Sequence, residues 1–249
     1  MNKLNGKVAV ITGAARGIGS AIAKRFAAEG ASVVINYATR KTEAERTLAT
    51  IEAKEGKALI FQADITKASE VEKLFAATKE HFGRLDILVN NAGLDDFVPL
   101  QQITEEHFHS HYNVNVLGLI LAVKEAVKYI DKENGCILNI GSLSSTHPHE
   151  GDLVYGGSKA ATDAMTASLA LELGPSGIRV NSINPGMVKT EGLDELPFIT
   201  QEVRDGIAAM TPMRRVGEPE DIAAAAVLFC SDDARWITGQ CIRVSGGLI

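Results

Sequence analysis

The chain has 249 residues, 45% of them hydrophobic and 22% charged, with a formal net charge of −6. It is apolar enough for a packed core and carries no cluster of Lys/Arg, which argues against nucleic acid as a partner. No apolar stretch reaches the ~20 residues that span a membrane, and Cys136, Cys230 and Cys241 lack metal-type spacing.

With no linker-like composition shift, one domain is expected over residues 1–249. Met1-Asn-Lys-Leu-Asn-Gly-Lys7 leads straight into a strand-like run rather than a signal-peptide apolar region, so a cytoplasmic protein with reduced thiols is expected. Lys7 to Ile11 is a β-branched run that stops at Thr12-Gly-Ala-Ala-Arg-Gly-Ile-Gly19, and a helical pattern follows through Phe26 to near Gly30. Strand, glycine turn and helix in that order form a phosphate cradle: glycines let the backbone approach a pyrophosphate, whose charge rests on the helix N-terminus. The candidate residues are Gly13, Arg16, Gly17, Ile18 and Gly19.

Ser32 to Asn36 reads as the second strand. An acid at its end would hold ribose hydroxyls, but the run continues Asn36-Tyr-Ala-Thr-Arg40-Lys41. Arg16 and Arg40 are placed to meet a 2′-phosphate, which favours NADP(H), with use of NAD(H) left open. A charged amphipathic helix at 42–55, a third strand at Ala58 to Gln62 ending on Asp64-Ile65, and a helix at 67–82 follow. The fourth strand, Asp86 to Asn90, runs into Asn91-Ala92-Gly93, whose small residues allow a cofactor close to the strand end.

Within Glu105-Glu-His107-Phe-His109-Ser-His111, helical spacing puts His107 and His111 on one face and His109 elsewhere. Neither a Glu-x-x-His partner nor a cysteine completes a metal site, so ordinary exposed histidines are expected and no metal. Helical stretches at 116–130 and 155–173 are apolar around much of their circumference, which calls for a second burial partner. Residues 187–212 are irregular in pattern, mixing acids with Leu193, Leu196, Phe198, Ile199 and Met210, and are expected to form a mobile substrate lid. The segment Pro212 to Asp221 leads into the last helix with a proline near its first turn, and Gly239 to Gly247 supplies the last strand.

The chemistry concentrates near the middle. After the strand Cys136 to Ile140 comes Ser142, then Tyr155, with Lys159 four residues further on. On a helix Tyr155 and Lys159 share one face, and an ammonium beside a phenol lowers the phenol's pKa. Tyr155 thereby becomes a candidate proton donor and acceptor.

Together the Thr-Gly-x-x-x-Gly-x-Gly turn, Asn90-Asn91-Ala92-Gly93, Ser142 and Tyr155-x-x-x-Lys159 resemble the short-chain dehydrogenase/reductase family over essentially the whole chain. The resemblance implies an α/β Rossmann fold, doubly wound around a mostly parallel seven-stranded sheet. It implies hydride transfer between nicotinamide and a carbonyl carbon, with Tyr155 moving the proton, Ser142 polarising the oxygen and Lys159 serving both Tyr155 and the ribose. Asn115 would interrupt its helix and hold a proton-relay water. Asp64 and Ile65 would border the adenine, and Pro185, Gly186, Val188 and Thr190 the nicotinamide and phosphates. Ser245 stands where the family usually has Asp, which would alter a C-terminal contact and not the chemistry.

The two broadly apolar helices would form the main interface of a homotetramer. A non-catalytic NADP sensor is the contrasting reading, and it leaves the four residues Ser142, Asn115, Tyr155 and Lys159 without a purpose. Among enzymes the neighbours include 3-oxoacyl-carrier-protein reductases. Those place arginines where this chain has Glu133 and Ser176, and Asp95, Asp96, Glu150 and Asp152 would add negative charge if they line the entrance. A small free ketone, alcohol or sugar-like substrate is therefore expected over an acidic carrier, unless Arg214 and Arg215 receive one.

Overall fold

Strand residues alternate between two apolar faces, and both faces are covered. In a computed structural model that describes residues 2–196 and 199–248, seven strands form one sheet in the order β3-β2-β1-β4-β5-β6-β7. They are β1 (Val8–Ile11), β2 (Ser32–Tyr37), β3 (Lys57–Gln62), β4 (Ile87–Asn90), β5 (Cys136–Ile140), β6 (Arg179–Pro185) and β7 (Cys241–Val244), and every neighbouring pair is parallel. Register places Val34, Val10, Leu88, Ile137 and Val180 in one row across the sheet. That row packs under α3 (Ala68–Phe82) and α5 (Leu119–Ala126), through Val71, Leu74, Phe75 and Leu119. Their neighbours Ile11, Ile35, Val89 and Leu138 face the other way, onto α1 (Gly17–Ala28) and, past α2 (Lys41–Glu52), onto a late helix, Pro219–Cys230. This is the continuous apolar strand expected of a parallel sheet buried on both faces.

All connections being parallel crossovers, every loop that follows a strand emerges on the same edge. Thr12, Asp64, Asn91, Ser142 and Gly186 are thus gathered there, and the strand order reverses between β1 and β4, the usual ligand crevice of an open parallel sheet. Between α3 and α5 lies α4 (Glu105–Tyr112), which runs into a π-turn at Asn113–Gly118, so the expected interruption at Asn115 is present. The longest helix, α6 (Leu153–Leu173), carries Tyr155 and Lys159 on its first turns. A buried polar ladder fixes it to the sheet: Asn90 donates to Asn139 (2.9 Å), Asn139 to Thr166 (2.9 Å), and Asn184 on β6 to both oxygens of Asp163.

The segment expected to be irregular contains two short helices, α7 (Glu191–Asp194) and α8 (Gln201–Met210), begun by Thr190 and Thr200 accepting from Leu193 and Val203 N–H. These capping threonines carry the helix signal that the mixed pattern obscured. Pro197 and Phe198, within the expected lid, lie outside the described residues. The last helix, α9 (Pro219–Cys230), starts on Pro219 with a reciprocal capping box between Glu218 and Asp221. Among the described residues no helix is long and apolar enough to cross a membrane.

The crevice is tightly closed at its base. A Cβ on Gly19 would lie 2.5 Å from Asn91 Nδ2 and 2.6 Å from the Gly13 carbonyl oxygen. Gly19→Ala is therefore expected to lower stability by about 1–3 kcal/mol even without cofactor, read as an earlier urea or thermal midpoint. An unchanged midpoint would mean that the β1–α1 turn yields freely.

Candidate active site

The β1–α1 turn and the end of β4 are built as one unit. Thr12 Oγ1 accepts from the N–H groups of Asn91 (3.0 Å) and Ala92 (3.1 Å), and Asn91 Nδ2 donates to the carbonyls of Thr12 (2.9 Å) and Gly13 (3.0 Å). Gly13 has φ +62° and its missing Cβ would meet Ala92 at 2.8 Å, so both conformation and packing require glycine. Ile18 turns the other way, into the core beneath α1.

Asn36 is 1% exposed, accepts from Gly13 N–H (3.3 Å) and donates to the Ala63 carbonyl (2.9 Å). At the strand end where a cofactor contact is expected of Asn36, its amide braces the glycine turn from behind. Asp64 keeps one oxygen on its own turn, accepting from Thr66 N–H (2.9 Å) and Oγ1 (2.8 Å). Those bonds and the Lys67 ammonium hold its carboxyl below the usual value, against partial burial. Ile65 is buried in a small pocket with Thr12, Asn90, Ala92, Asn115 and Lys159.

Two carboxylates from the expected lid sit on the groups assigned to phosphates. Glu191 accepts from Gly17 N–H (3.1 Å), at the N-terminus of α1. Glu195 is gripped by both Arg16 and Arg40; the second Arg16 bond is 3.0 Å and the Arg40 contact 3.3 Å. The Arg16 hydrogen bond, followed by the charges of Arg16 and Arg40, holds the Glu195 carboxyl below its ordinary value. Arg16 and Arg40 therefore converge on a single anionic point, and Gly17 on another. Thr190, which caps α7, packs its methyl against the Gly17 site, 3.4 Å from where a Cβ would stand. Val188 is buried and bridges to Gly217, while Pro185 ends β6 and Gly186 N–H donates to the Val244 carbonyl (3.3 Å). Ser245 packs against Gly186 and donates to the Leu248 carbonyl (2.8 Å), a contact within the C-terminal segment.

Ser142, Tyr155, Lys159 and Asn115 come together above this turn. Ser142 and Lys159 are buried and Tyr155 half-buried. Ser142 sits close enough to the Tyr155 phenol to favour its ionised form, and it accepts from Ser144 N–H (3.1 Å). Lys159 Nζ lies 5.8 Å from the Tyr155 ring centre and donates to the Ile140 carbonyl (2.9 Å). Asn115 pairs with the main chain of Leu94 in both directions (2.8 and 3.0 Å) and donates to Ser158 (2.9 Å), so its side chain is a brace within the π-turn.

The expected net lowering of Tyr155 is corrected for the free protein, where burial outweighs whatever stabilisation Lys159 offers the phenolate. Burial pushes the phenol well above its ordinary value, Ser142 opposes this, and Asp95 and Asp152 add to it. Lys159 is itself desolvated, which lowers its ammonium to about 8 against the pull of Asp95 and Asp163. Both groups thus stand in a low-dielectric site where the neutral phenol, a competent proton donor, prevails.

The mouth is formed by the loop after β4. Phe97 meets the Tyr155 ring edge-on at 5.9 Å, and Val98 N–H donates to the Gly151 carbonyl (2.8 Å). Desolvation raises the Asp95 carboxyl here, and Lys159 and Arg16 pull it down. Glu150 is exposed beside it, whereas Asp152 is buried and does not add surface charge. Glu133 and Ser176 precede β5 and β6 and so lie on the opposite edge of the sheet from Tyr155; their expected place at the entrance is corrected by strand direction. Arg215 is held by Asp221 (2.6 and 2.8 Å).

The histidines are a further correction. Only His109 is exposed as expected; His111 is buried and the His107 side chain is 13% exposed, because Asp96 and the mouth loop cover that face of α4. Glu191, Glu195, Thr12 and Phe97 were missed from sequence. Thr12 alone carried a signal, as the first residue of the glycine motif; the others depend on which loop folds over which.

The matching family model, described as enoyl-(acyl carrier protein) reductase, covers residues 13–249. An uncharacterised oxidoreductase of Methylorubrum extorquens is 46% identical, with 100% of both chains covered. Glucose 1-dehydrogenase 2 of Bacillus subtilis is 37% identical over 98% of this chain and 95% of its own. A short chain dehydrogenase from Burkholderia cenocepacia, solved in complex with NADP, superposes with TM-score 0.92 at 36% identity over 99% of each chain. On this fold, motif order and breadth of match, the chain belongs to the short-chain dehydrogenase/reductase family and is an NAD(P)-dependent oxidoreductase.

Proposed function

We propose that the protein interconverts a carbonyl and a secondary alcohol with NADP(H), on a small free ketone, alcohol or sugar-like substrate. The observation that carries the cofactor assignment is the convergence of Arg16 and Arg40 on one carboxylate, Glu195. A site in which two guanidiniums close on a single anion has the charge and reach to take a 2′-phosphate. The glycine turn, with Gly17 N–H directed at Glu191, has the donors for a pyrophosphate. Gly93 leaves the space beside Lys159 and Asn115 open, since a Cβ would stand 3.3–3.4 Å from both. The residues therefore fit the dinucleotide, which when bound supplies or accepts the hydride.

In reduction, Tyr155 gives its proton to the substrate oxygen while Ser142 donates a hydrogen bond to the same atom. Lys159 stabilises the phenolate left behind, an effect that grows with the low dielectric of the site. In oxidation Tyr155 takes the alcohol proton. The Asn115 brace keeps the main chain of the π-turn in place beside Lys159, where a proton-relay water would sit. The mouth carries Asp95, Asp96 and Glu150, and Arg215 is engaged by Asp221, so a neutral, unattached substrate is favoured over an acidic carrier. Residues 187–212 act as a lid whose acids leave the anion sites when cofactor enters. Ile120, Leu153 and Leu171 are exposed on α5 and α6, which supports assembly through these helices into a tetramer.

Three measurements bear on this. Tyr155→Phe is expected to lower kcat about 100- to 10,000-fold while NADPH binding persists; activity within a few-fold of wild type would remove the proton-transfer role. Replacing Arg16 and Arg40 with Ala is expected to reduce kcat/KM for NADPH far more than for NADH, whereas Glu195→Ala tightens NADPH selectively; equal effects on both cofactors would contradict the 2′-phosphate site. Light scattering at micromolar concentration is expected to give a tetramer mass, and a monomer mass would contradict the interface.

A further inference from the structure

The imidazoles of His107 and His111 stack one helical turn apart on α4, ring centres 4.6 Å apart, and both turn their Nε2 toward Asp96. Nε2 of His107 is 2.7 Å and Nε2 of His111 3.1 Å from the same oxygen, Asp96 Oδ1, and the donor atoms all lie within 4.8 Å of one another. His111 Nδ1 is 3.1 Å from the His107 carbonyl oxygen. A carbonyl only accepts, so Nδ1 carries the hydrogen and the neutral ring keeps its Nε2 lone pair beside the carboxylate oxygen, out of line with it. That buried nitrogen makes no hydrogen bond with any described residue. Lone-pair atoms crowded this closely repel unless a positive centre sits among them. A proton could join one imidazole to Asp96, but it links only two atoms, and three donors converge here.

We infer that Asp96, His107 and His111 form a binding site for a divalent transition metal of the zinc class. Two imidazole nitrogens and one carboxylate oxygen suit zinc rather than magnesium or calcium, which prefer oxygen. Zinc bonds of about 2.0–2.1 Å in a tetrahedron put neighbouring ligand atoms about 3.3 Å apart, so the 2.7 and 3.1 Å contacts to Asp96 spread a little while the two imidazole donors, within 4.8 Å of each other, settle to that same spacing. The His111 Nδ1 bond to a carbonyl is the outer contact that fixes a ligating tautomer. His107 Nδ1 lacks such a partner among the described residues, which makes His111 the firmer ligand. The Asp96 side chain is half-exposed, giving an ion a route in and water a fourth position. Asp96 adjoins Asp95 and Phe97, and Phe97 packs on Tyr155. An ion here would staple the mouth loop to α4 beside the reactive phenol while leaving proton transfer to Tyr155. The site stands independently of the substrate assigned above.

The test uses untagged, full-length protein stripped with chelator and dialysed against zinc chloride, with bound zinc measured by mass spectrometry. Cobalt(II) substitution supplies a visible spectrum that reports the coordination geometry. About one zinc per chain is expected, with affinity reduced about tenfold or more in Asp96→Asn and in His107→Gln, and unchanged in the exposed control His109→Gln. Circular dichroism of the metal-free variants confirms that they fold. Zinc is also expected to slow amide exchange across residues 94–98 in the wild type. No stoichiometric zinc, or zinc retained equally by Asp96→Asn and His107→Gln, would overturn the site; bound zinc with unchanged exchange would overturn the stapling.

Discussion

The site depends on one junction, where Thr12 and Asn91 tie the end of β1 to the end of β4. This is the place where a parallel sheet reverses its order, so the chain leaves the two strands in opposite lateral directions and a crevice opens between them. The bonds that hold the crevice use Thr12 Oγ1, the Asn91 amide and two main-chain carbonyls, and Gly13 and Gly19 supply the room. Everything chemical is arranged around it: Arg16 and Gly17 on one side, Lys159 and Asn115 against Gly93 on the other. Because these contacts are internal to the protein, the cradle is preorganised without a ligand.

Electrostatics then divide the crevice into two regions. At the outer end, guanidiniums and a helix N-terminus collect negative charge, supplied here by Glu191 and Glu195. At the inner end, burial disfavours charge on both Tyr155 and Lys159. A phenol kept neutral is ready to donate, and an ammonium brought down to about 8 is a proton partner close to physiological pH. Substrate and cofactor add their own charges to this second region, so the resting values describe the starting point of catalysis. At the outer end Glu195 already occupies Arg16 and Arg40, so an anion arriving at that pair has to displace it.

Much of this was legible in the residues. Strand runs, the glycine turn and the Tyr155–Lys159 pair are local patterns, and local patterns determined the sheet, its direction and the ends of its strands. The π-turn at Asn115 and the helix start at Pro219 followed from position in motif. What failed was information carried between distant segments. Asn36 is buried with its amide on the Ala63 carbonyl just past β3 and on the Gly13 N–H, a set of partners no local pattern shows. Glu133 and Ser176 fell on the far edge because they precede strands, a consequence of topology that charge counting ignores. Helical spacing and nearby ligand types describe His107 and His111 only locally, and their partner Asp96 comes from a loop that folds back over α4. At Tyr155 burial, set by the fold, outweighs the neighbouring charge that the sequence displays.

The central claim is that the paired arginines hold the 2′-phosphate of NADP(H) beside a Ser142–Tyr155–Lys159 centre. A crystal structure of the protein soaked or grown with NADP tests it most directly. The account predicts density for the 2′-phosphate between Arg16 and Arg40, Glu195 displaced from both, and the nicotinamide next to Tyr155. Glu195 still bonded to both arginines, with the adenosine ribose seated elsewhere, would contradict it.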